Sequence, residues 1–291
     1  MSNQTLYQSL VAAMKQAAHQ AGQQLIIDFK ARDKLHVDNK AQSDFVSEAD
    51  TKSDATIRSV LTRAFPDFGF LTEDGATGDD GKSKRFIVDS LDGTTNFLSV
   101  SDQWCVSIGA EIEGEIVAGV IFAPLLHKCF FAARHEGAYL EAVDGTERLY
   151  VSKRSDLQKA QVGLGFAFNG RPKPLMRPLQ DRCEQQVAGI HSYRSVALEC
   201  CYLAQGALDG YAHLQHGGGP WDFAAAKIIV EEAGGFLLSP DGVSNPLYGD
   251  DVLCLTPSLA RDMWKLFTQT GVPASVLSKG PAQLPTSGIR L

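Results

Sequence analysis

The amino-acid sequence predicts a mixed α/β protein in which an α+β part precedes an α/β part. Apolar residues recur at helical spacing near the N-terminus, between Leu10 and Phe29. Residues 105–142 contain successive apolar runs separated by short turns, a pattern typical of a β-meander. From about residue 151 onward, strand-like apolar runs alternate with helical patterns, as in α/β proteins.

The first half is predicted to begin with helices and to continue with strands. In chain order, we expect a helix over 10–29, a loop or mobile hairpin over 30–44, a helix over 47–64, a strand over 68–74, a charged loop over 75–84, a strand over 85–91 and four strands over 105–142. The second helix ends at PDFG, because proline and glycine there cannot continue it. A turn at Glu113 and Gly114 separates the first two strands of the meander.

The second half is predicted to alternate strands with helices. In chain order, we expect a strand over 161–168, helices over 175–188, 196–210 and 219–235, a strand over 250–257 and a last helix over 258–270. Glycines close two of these helices, at Gly210 and at Gly234-Gly235, since glycine is the usual residue just past a helix end.

A change of composition at residues 151–160 marks a subdomain boundary. We expect an N-terminal α+β part over 1–150 that carries most candidate ligands and a C-terminal α/β part over 151–270. Residues 271–291 contain scattered proline and glycine without periodicity, which predicts a poorly ordered tail.

The bulk composition is that of an ordinary globular protein. The 291 residues are 44% hydrophobic and 21% charged, and the net charge of −7 argues against nucleic-acid binding, which favours a basic face. The longest apolar run, 117–126, is shorter than the ~20 residues that a membrane-spanning helix needs. No signal-peptide pattern is present, and six cysteines show no CxxC spacing. We therefore expect a cytoplasmic protein with reduced thiols, with neither nucleic acid nor membrane as partner.

Carboxylates follow predicted strands or start predicted helices at several places in the chain. The candidate oxygen ligands are Glu73 and Asp74, Asp89 and Asp92, Asp222, and the hydroxyls of Thr94 and Thr95. Hard cations such as Mg²⁺ prefer oxygen ligands, and two such ions about 4 Å apart can clamp the reacting oxygens of a phosphoryl transfer. Crowded carboxylates repel one another, so a cation is their natural partner.

The segment directly after Asp92 adds a place for phosphate. Gly93 allows the backbone to approach a ligand closely, and a short helix that begins near Gly93–Thr95 would offer N–H groups to an anion. Taken alone, DG and TTN are common turn sequences, and PWD at 220–222 is an ordinary helix start. The joint presence of these features favours the metal site.

Three segments together resemble the inositol monophosphatase family of magnesium-dependent, lithium-sensitive phosphatases. They are TED (72–74), FIVDSLDGTTNF (86–97) and GPWDFAAAKIIVEEAGG (219–235). The third agrees with the family signature at every position, and the second departs from it only at Ser90, where the family usually has proline. The resemblance covers nearly the whole chain and implies a layered α/β/α/β/α sandwich with the site in a cleft between its two parts.

The resemblance also implies which residues hold Mg²⁺. Glu73, Asp89 and the backbone carbonyl of Leu91 would hold a first ion. Asp89, Asp92 and Asp222 would hold a second, and a third, weaker ion would contact Glu73. Because Ser90 keeps both neighbouring carboxylates in place, its replacement of proline bears on the stiffness of the turn more than on activity.

Catalytic and phosphate-binding roles follow from the same resemblance. Thr94, supported by Asp50, would together with Glu73 orient the attacking water. The backbone N–H groups of Gly93, Thr94 and Thr95 would hold phosphate oxygens. No protein nucleophile is required.

Two positions near the expected substrate pocket depart from the family. Residues 195–213 align without gaps with a family stretch that ends in a glutamate bonded to an inositol hydroxyl, and His213 stands at that position. Arg194 replaces a usual glycine. A neutral histidine offers one acceptor and a protonated one offers none, so we expect an ester with a second anionic group to be preferred over inositol 1-phosphate. The alternative is that His213 points to solvent.

The cysteines, two histidines and one lysine are further candidates for site residues, and each has a simpler interpretation. Cys200 and Cys201 lie within a predicted helix with no base nearby, which favours buried packing. His213 and His216 are three residues apart, but the local sequence lacks the soft ligands that Zn²⁺ needs. Lys40 could reach the site or remain a solvated lysine.

The leading hypothesis is a homodimeric phosphomonoesterase that uses two to three Mg²⁺ ions to hydrolyse a small phosphorylated metabolite. Histidinol phosphate, fructose 1,6-bisphosphate and 3′-phosphoadenosine 5′-phosphate are alternatives to inositol phosphate, since relatives handle all of them. A hypothesis from a different class is a non-catalytic regulatory or binding member of the family. Such a protein should have lost ligands, whereas Glu73, Asp89, Asp92, Thr94 and Asp222 are all present.

Overall fold

The computed structural model describes residues 3–34, 37–41, 44–73, 82–165, 174, 176–214, 219–249 and 251–269. The helices are α1 (Asn3–Lys30), α2 (Glu48–Ala64), α3 (Thr94–Leu98), α4 (Met176–Gln186), α5 (Val196–Ala204), α6 (Pro220–Glu232) and α7 (Ala260–Thr268). Within these residues, no helix combines the length and the apolar character needed to cross a bilayer.

The strands form one hairpin and two larger sheets. They are β1 (Val37–Ala41), β2 (Asp44–Ser47), β3 (Gly69–Thr72), β4 (Lys84–Asp92), β5 (Cys105–Ile112), β6 (Glu115–Ala123), β7 (Lys128–Ala133), β8 (Gly137–Ala142), β9 (Gly145–Arg148), β10 (Gln161–Gly165), β11 (Gly189–His191), β12 (Gly210–His213), β13 (Phe236–Leu238) and β14 (Val252–Leu255). The seven-stranded sheet has the order β3-β4-β5-β6-β7-β8-β9, with only β3 and β4 parallel, and the five-stranded sheet has the order β11-β10-β12-β14-β13.

Helices and sheets alternate in five layers. Helices α1 and α2 pack on one face of the seven-stranded sheet, and α5 and α6 pack on its other face. Helix α5 also contacts β12 and β14, and α6 contacts β13, so these two helices lie between the sheets. Helices α4 and α7 pack together beyond the five-stranded sheet. The α/β/α/β/α sandwich expected from the sequence is therefore confirmed.

Strands that are covered on both faces explain why their sequences are almost continuously apolar. In β4, Ile87 packs in the core around α5 and α6, whereas Phe86 and Val88 pack in the core under α1 and α2. In β14, Cys254 faces the central helices and Leu253 faces the outer core that contains α7. Side chains alternate between faces along a strand, and each face here meets a helical layer.

Helix α6 approaches the seven-stranded sheet unusually closely. A Cβ added to Gly119 of β6 would lie 2.6 Å from the backbone oxygen of Ala225, and one added to Gly109 of β5 would lie 2.9 Å from the Cβ of Ala224. The glycines therefore let the helix backbone rest against the strands. This contact fixes the position of the first turn of α6, where Asp222 lies.

The helix predicted over 196–210 is wrong in its second half. Helix α5 ends at Ala204, and Gly206, with φ of 80°, adopts the left-handed conformation that ends helices. Gly210, read from the sequence as the stop, instead begins β12. Four buried residues carry too short a pattern for the strand to be distinguished from a continuing apolar helix.

Three further strands are not predicted by the sequence, and the segment over 30–44, for which the sequence leaves a loop or a hairpin open, contains a hairpin. Strands β9, β11 and β13 contain only three or four residues each. The polar segment before α2 forms the hairpin of β1 and β2, one of the two alternatives considered. Several predictions concern parts of the chain outside the described residues. They are those for Asp74, for residues 75–81, for His216, for the side chain of Lys40 and for the tail over 271–291. The division into parts at residue 150 stays a prediction.

Candidate active site

A β-bulge brings Asp89 and Asp92 to the same side of β4. Two residues three apart normally face opposite sides of a strand. Here Asp89 pairs with Ser107 and Asp92 pairs with Cys105, so β4 has one residue more than β5 between these pairs. The extra residue returns Asp92 to the face of Asp89. Both side chains are buried at the end of the strand, at 2% and 6% exposure.

Asp222 joins this pair from the central helical layer. It lies in the first turn of α6, after Pro220, and its Oδ2 accepts a hydrogen bond from the backbone N–H of Gly219 at 2.9 Å. One carboxylate oxygen from each of Asp89, Asp92 and Asp222 lies within 4.8 Å of the others. The structure thus brings together residues that are 130 positions apart in the sequence (222 − 92).

The three carboxylates create a strongly unfavourable local charge. Burial, followed by repulsion from Glu73, Asp92 and Asp222, raises the pKa of Asp89 well above its usual range. Burial and repulsion from Asp222 raise the pKa of Asp92 to about 6, although hydrogen bonds from Ser195 and Ala197 oppose the rise. A divalent cation would offset this repulsion, and an all-oxygen donor set fits Mg²⁺ better than Zn²⁺. The residues present therefore fit the ion that the sequence predicts.

Glu73 and Leu91 each interact with Asp89. Glu73 follows β3, and its N–H donates to the carbonyl of Val88 on the neighbouring parallel strand at 3.3 Å. Repulsion from its charge is one cause of the raised pKa of Asp89. The N–H of Leu91 donates to Asp89 Oδ1 at 2.9 Å, and this hydrogen bond orients the Asp89 side chain.

Helix α2 supplies the residues that contact Thr94 and the bulge. The Thr94 hydroxyl lies 3.1 Å from the carbonyl oxygen of Leu91 and 3.4 Å from Oδ1 of the buried Asp50. Ser90, which replaces the family proline, donates its hydroxyl to the carbonyl of Asp50 at 3.1 Å. The carbonyl of Ser90 in turn accepts a hydrogen bond from Ser53 at 2.8 Å. Two hydrogen bonds to α2 therefore hold the bulge where proline would stiffen it.

Gly93 connects the bulge to the short helix α3. Its φ of 87° lies in the left-handed region, which favours glycine. Helix α3 begins at Thr94, so a short helix does start directly after Gly93. Asn96, the asparagine of the DGTTNF segment, donates to the carbonyls of Gln103 at 2.6 Å and Tyr193 at 2.7 Å. It thereby ties the turn to the segment that precedes α5.

Comparison with known proteins identifies the family of this chain. The family model described as "Inositol monophosphatase family" matches residues 6–269. The chain belongs to the inositol monophosphatase family.

The relatives of this chain include proteins named inositol-1-monophosphatase and proteins named Nus factor SuhB. An "Inositol-1-monophosphatase" of Rhizobium meliloti is 36% identical over 256 residues, covering 87% of this chain and 94% of that protein. A "Nus factor SuhB" of Pasteurella multocida is 31% identical over 249 residues, covering 85% and 91%. The solved structure of the extragenic suppressor protein suhB from Bartonella henselae superposes with a TM-score of 0.82 at 32% identity, covering 89% of this chain and 98% of that one.

The two predicted substrate residues of this family member lie in different surroundings. Arg194 is exposed and has φ of 58°, so its backbone keeps the left-handed conformation that suits the glycine usual in the family. His213 ends β12 and is only 4% exposed, so the alternative that it points to solvent is wrong. Its Nδ1 lies 2.8 Å from the hydroxyl of Tyr211, and its ring is nearly perpendicular to the ring of Phe223, with centroids 5.8 Å apart.

Sequence reasoning missed Ser195, which contacts Asp92 directly. Its hydroxyl donates to Asp92 Oδ2 at 2.5 Å, and the N–H of Ala197 donates to the same oxygen at 3.0 Å. A serine before a predicted helix signals an N-cap, but nothing in the sequence shows that its hydroxyl bonds a residue 103 positions away.

The cysteines of this family member are buried free thiols, as predicted for Cys200 and Cys201. Burial raises the pKa of Cys200, Cys201 and Cys105 well above the usual range for a thiol. A thiol that stays protonated is a poor nucleophile. These side chains therefore act in packing.

Proposed function

We propose that this protein is a Mg²⁺-dependent phosphomonoesterase that hydrolyses a small phosphorylated metabolite by direct attack of water. The convergence of Asp89 and Asp92 from β4 with Asp222 from α6 is the observation that carries the proposal. Membership of a phosphatase family supports it. Bound Mg²⁺ would lower the pKa of the attacking water and offset charge on the phosphoryl and leaving oxygens.

The chain's own residues would position the reactants. The Thr94 hydroxyl can donate its proton to Asp50 Oδ1 and accept a hydrogen bond from the water, which directs a lone pair of that water toward phosphorus. Glu73 would accept the second proton of the water while the water oxygen bonds to phosphorus and the ester P–O bond breaks, and the leaving alkoxide would take a proton from solvent water. The backbone N–H groups of Gly93, Thr94 and Thr95 would hold phosphate oxygens. In this proposal Glu73, Asp89 and the Leu91 carbonyl hold one ion, and Asp89, Asp92 and Asp222 hold another.

The proposal is tested by phosphate release from a panel of phosphomonoesters. The panel contains inositol 1-phosphate, histidinol phosphate, fructose 1,6-bisphosphate and 3′-phosphoadenosine 5′-phosphate, each assayed with Mg²⁺ and with EDTA. We expect release that requires Mg²⁺ from at least one compound. Absence of release from every compound at millimolar Mg²⁺ would reject the enzymatic function.

The substrate is expected to carry a second anionic group. Arg194 adds a positive charge beside the segment that Asn96 ties to the phosphate-binding turn. His213 stands where the family has a carboxylate, which is the better partner for a diol. The relatives named inositol-1-monophosphatase make inositol 1-phosphate the reference compound.

We predict that inositol 1-phosphate does not have the highest kcat/KM of the panel. Arg194→Gly, which restores the family residue, should lower kcat/KM about tenfold for fructose 1,6-bisphosphate and 3′-phosphoadenosine 5′-phosphate, which carry a second phosphate group, since a charge-assisted hydrogen bond contributes roughly 1.5–3 kcal/mol. The same change should leave kcat/KM for inositol 1-phosphate almost unaltered. If inositol 1-phosphate leads the panel and both Arg194→Gly and His213→Ala leave the order unchanged, the assignment of these residues is wrong.

Li⁺ and Ca²⁺ are predicted to inhibit phosphate release. The family resemblance implies that Li⁺ would occupy the cation position of Asp92 and Asp222 after catalysis and trap phosphate there. Ca²⁺ accepts the same oxygen ligands with longer bonds and looser geometry, so it should misplace the water that Thr94 orients. Steady-state rates over a series of Li⁺ and Ca²⁺ concentrations at fixed Mg²⁺ measure this, with K⁺ as the control. A flat response to Li⁺ would contradict a second cation position of the family type.

A regulatory role is the second candidate function. Relatives named "Nus factor SuhB" are 30–34% identical and cover 82–85% of this chain, and that name is not the name of a hydrolase. The retained carboxylates favour catalysis, because a purely regulatory protein has no need to keep them together. Complementation of a deletion strain with Asp222→Asn separates the two: an inactive variant that restores growth fully would favour the regulatory role.

A further inference from the structure

One oxygen of Asp92 is occupied by hydrogen bonds from the other half of the protein. Asp92 Oδ2 accepts from the hydroxyl of Ser195 at 2.5 Å and from the N–H of Ala197 at 3.0 Å, and the thiol of Cys105 lies 3.6 Å away. These donors use the lone pairs of that oxygen. Oδ1 is therefore the oxygen of Asp92 that remains for a cation shared with Asp89 and Asp222.

Ser195 is placed to act on Asp92 and not on its own helix. It occupies the N-cap position of α5 but makes no side-chain capping hydrogen bond there. The side chain is fully buried, so its hydroxyl has no access to bulk water. A capping serine would normally accept from the N–H groups of the first turn. Here Asp92 accepts from that turn instead, through Ala197.

The segment that carries Ser195 is fixed from two sides. The carbonyl of Tyr193 accepts a hydrogen bond from Asn96, and the N–H of Tyr193 donates to Glu199 Oε1 at 2.9 Å. A Cβ added to Gly93 would lie 3.4 Å from the Cβ of Ser195, so this segment lies close beside the turn at Gly93. Ser195 therefore has little freedom to move away from Asp92.

We propose that Ser195 is a positioning residue that locks the Asp92 carboxylate in the rotamer in which Oδ1 faces Asp89 and Asp222. Hydrogen bonds to the outer oxygen of a metal-binding carboxylate orient it, and loss of such a partner typically weakens metal affinity about 10- to 100-fold. The effect on metal affinity is independent of the substrate, whereas the accompanying effect on turnover rests on the proposed phosphatase function.

The test compares Mn²⁺ binding by the metal-free protein and by Ser195 variants, because Mn²⁺ takes the same oxygen ligands as Mg²⁺ and free Mn²⁺ can be followed by electron paramagnetic resonance. Ser195→Ala should bind Mn²⁺ at least about tenfold more weakly than wild type. Ser195→Thr, which keeps the hydroxyl, should restore affinity to within about twofold. Ser195→Cys keeps the size but offers only a weak donor, so it should behave like Ser195→Ala.

Thr256→Val is the matched control. Thr256 is a fully buried residue of the second half whose hydroxyl donates to the backbone carbonyl of Asp209 and not to Asp89, Asp92 or Asp222. It should bind Mn²⁺ like wild type even if its melting temperature falls. Mn²⁺ affinity equal to wild type in Ser195→Ala would overturn the proposal. If Ser195→Ala does not fold, the same result in Ser195→Cys would overturn it. Mn²⁺ binding that is weakened equally in Thr256→Val would also overturn it. If no phosphomonoester is hydrolysed, the proposed function fails, while the Mn²⁺ titration still decides the role of Ser195.

Discussion

Asp92→Asn is expected to lower kcat/KM for the best phosphomonoester at least about 100-fold while the metal-free protein remains as stable as wild type. Loss of one group that stabilises developing charge commonly costs this much. Asparagine keeps an oxygen that can accept the hydrogen bonds from Ser195 and Ala197, so the contact with α5 survives. It also removes one of three mutually repelling buried charges, since Asp92 helps to raise the pKa of Asp89.

Thermal unfolding separates loss of metal binding from loss of fold. Without metal, the melting temperature of Asp92→Asn should equal or exceed that of wild type. With millimolar Mg²⁺, wild type should gain stability and the variant should gain much less, because only bound ligand shifts the unfolding equilibrium. Asp28→Asn, an equally buried aspartate paired with Lys52, is the control and should keep the Mg²⁺ response. Turnover within a few-fold of wild type in Asp92→Asn at saturating Mg²⁺ would refute the ligand assignment.

Gly93→Ala is expected to have the second largest effect, on both activity and stability. Gly93 has φ of 87°, and an alanine in the left-handed region costs about 1–2 kcal/mol. Its Cβ would lie 2.8 Å from the carbonyl oxygen of Gln103 and 3.3 Å from the Cα of Trp104, so the backbone of the turn would have to move. A displacement of about 1 Å in a catalytic group can cost roughly 100-fold in rate.

Gly114→Ala is the control that separates the cost of a left-handed alanine from the displacement of the turn at Gly93. Gly114 has φ of 81°, and an added Cβ there meets no atom within 4 Å. Both variants should lose a few degrees in melting temperature, since 1 kcal/mol corresponds to about 2–4 °C in a chain of this size class. Only Gly93→Ala should lose activity, by about 100-fold. Equal activity in the two variants would show that the turn at Gly93 does not position the phosphate.

The sequence predicts the long elements well because their patterns repeat over many residues. Helix α1 buries Leu10, Met14 and Leu25 at helical spacing, and the meander from β5 to β8 has clear turns. The sequence does not predict strand β12, and it extends the preceding helix to Gly210, the first residue of the strand, because most residues from Ala204 to Tyr211 are small or apolar. The strand is fixed by its partners β10 and β14, which lie about 45 residues away on either side (210 − 165 and 255 − 210).

The site was predicted by residue type, while its geometry depends on contacts that are distant in sequence. The spacing of Asp89 and Asp92 alone would place them on opposite faces of β4, and only the pairing with β5 reveals the bulge that brings them together. The role of Ser90 depends on the backbone of Asp50, and that of Ser195 on Asp92. Hydrogen bonds of this kind are set by the packing of layers, which no local pattern encodes.

The most direct test of the central claim is the Mg²⁺ dependence of phosphate release by wild type and by Asp222→Asn. Asp222 is the one carboxylate of the three that α6 supplies, and its Oδ2 contact with Gly219 can be kept by asparagine. The account predicts no release in EDTA, saturable activation of wild type by Mg²⁺, and at least about 100-fold lower activity in the variant at every Mg²⁺ concentration. Equal release in EDTA and in Mg²⁺, or wild-type activation of Asp222→Asn, would contradict it.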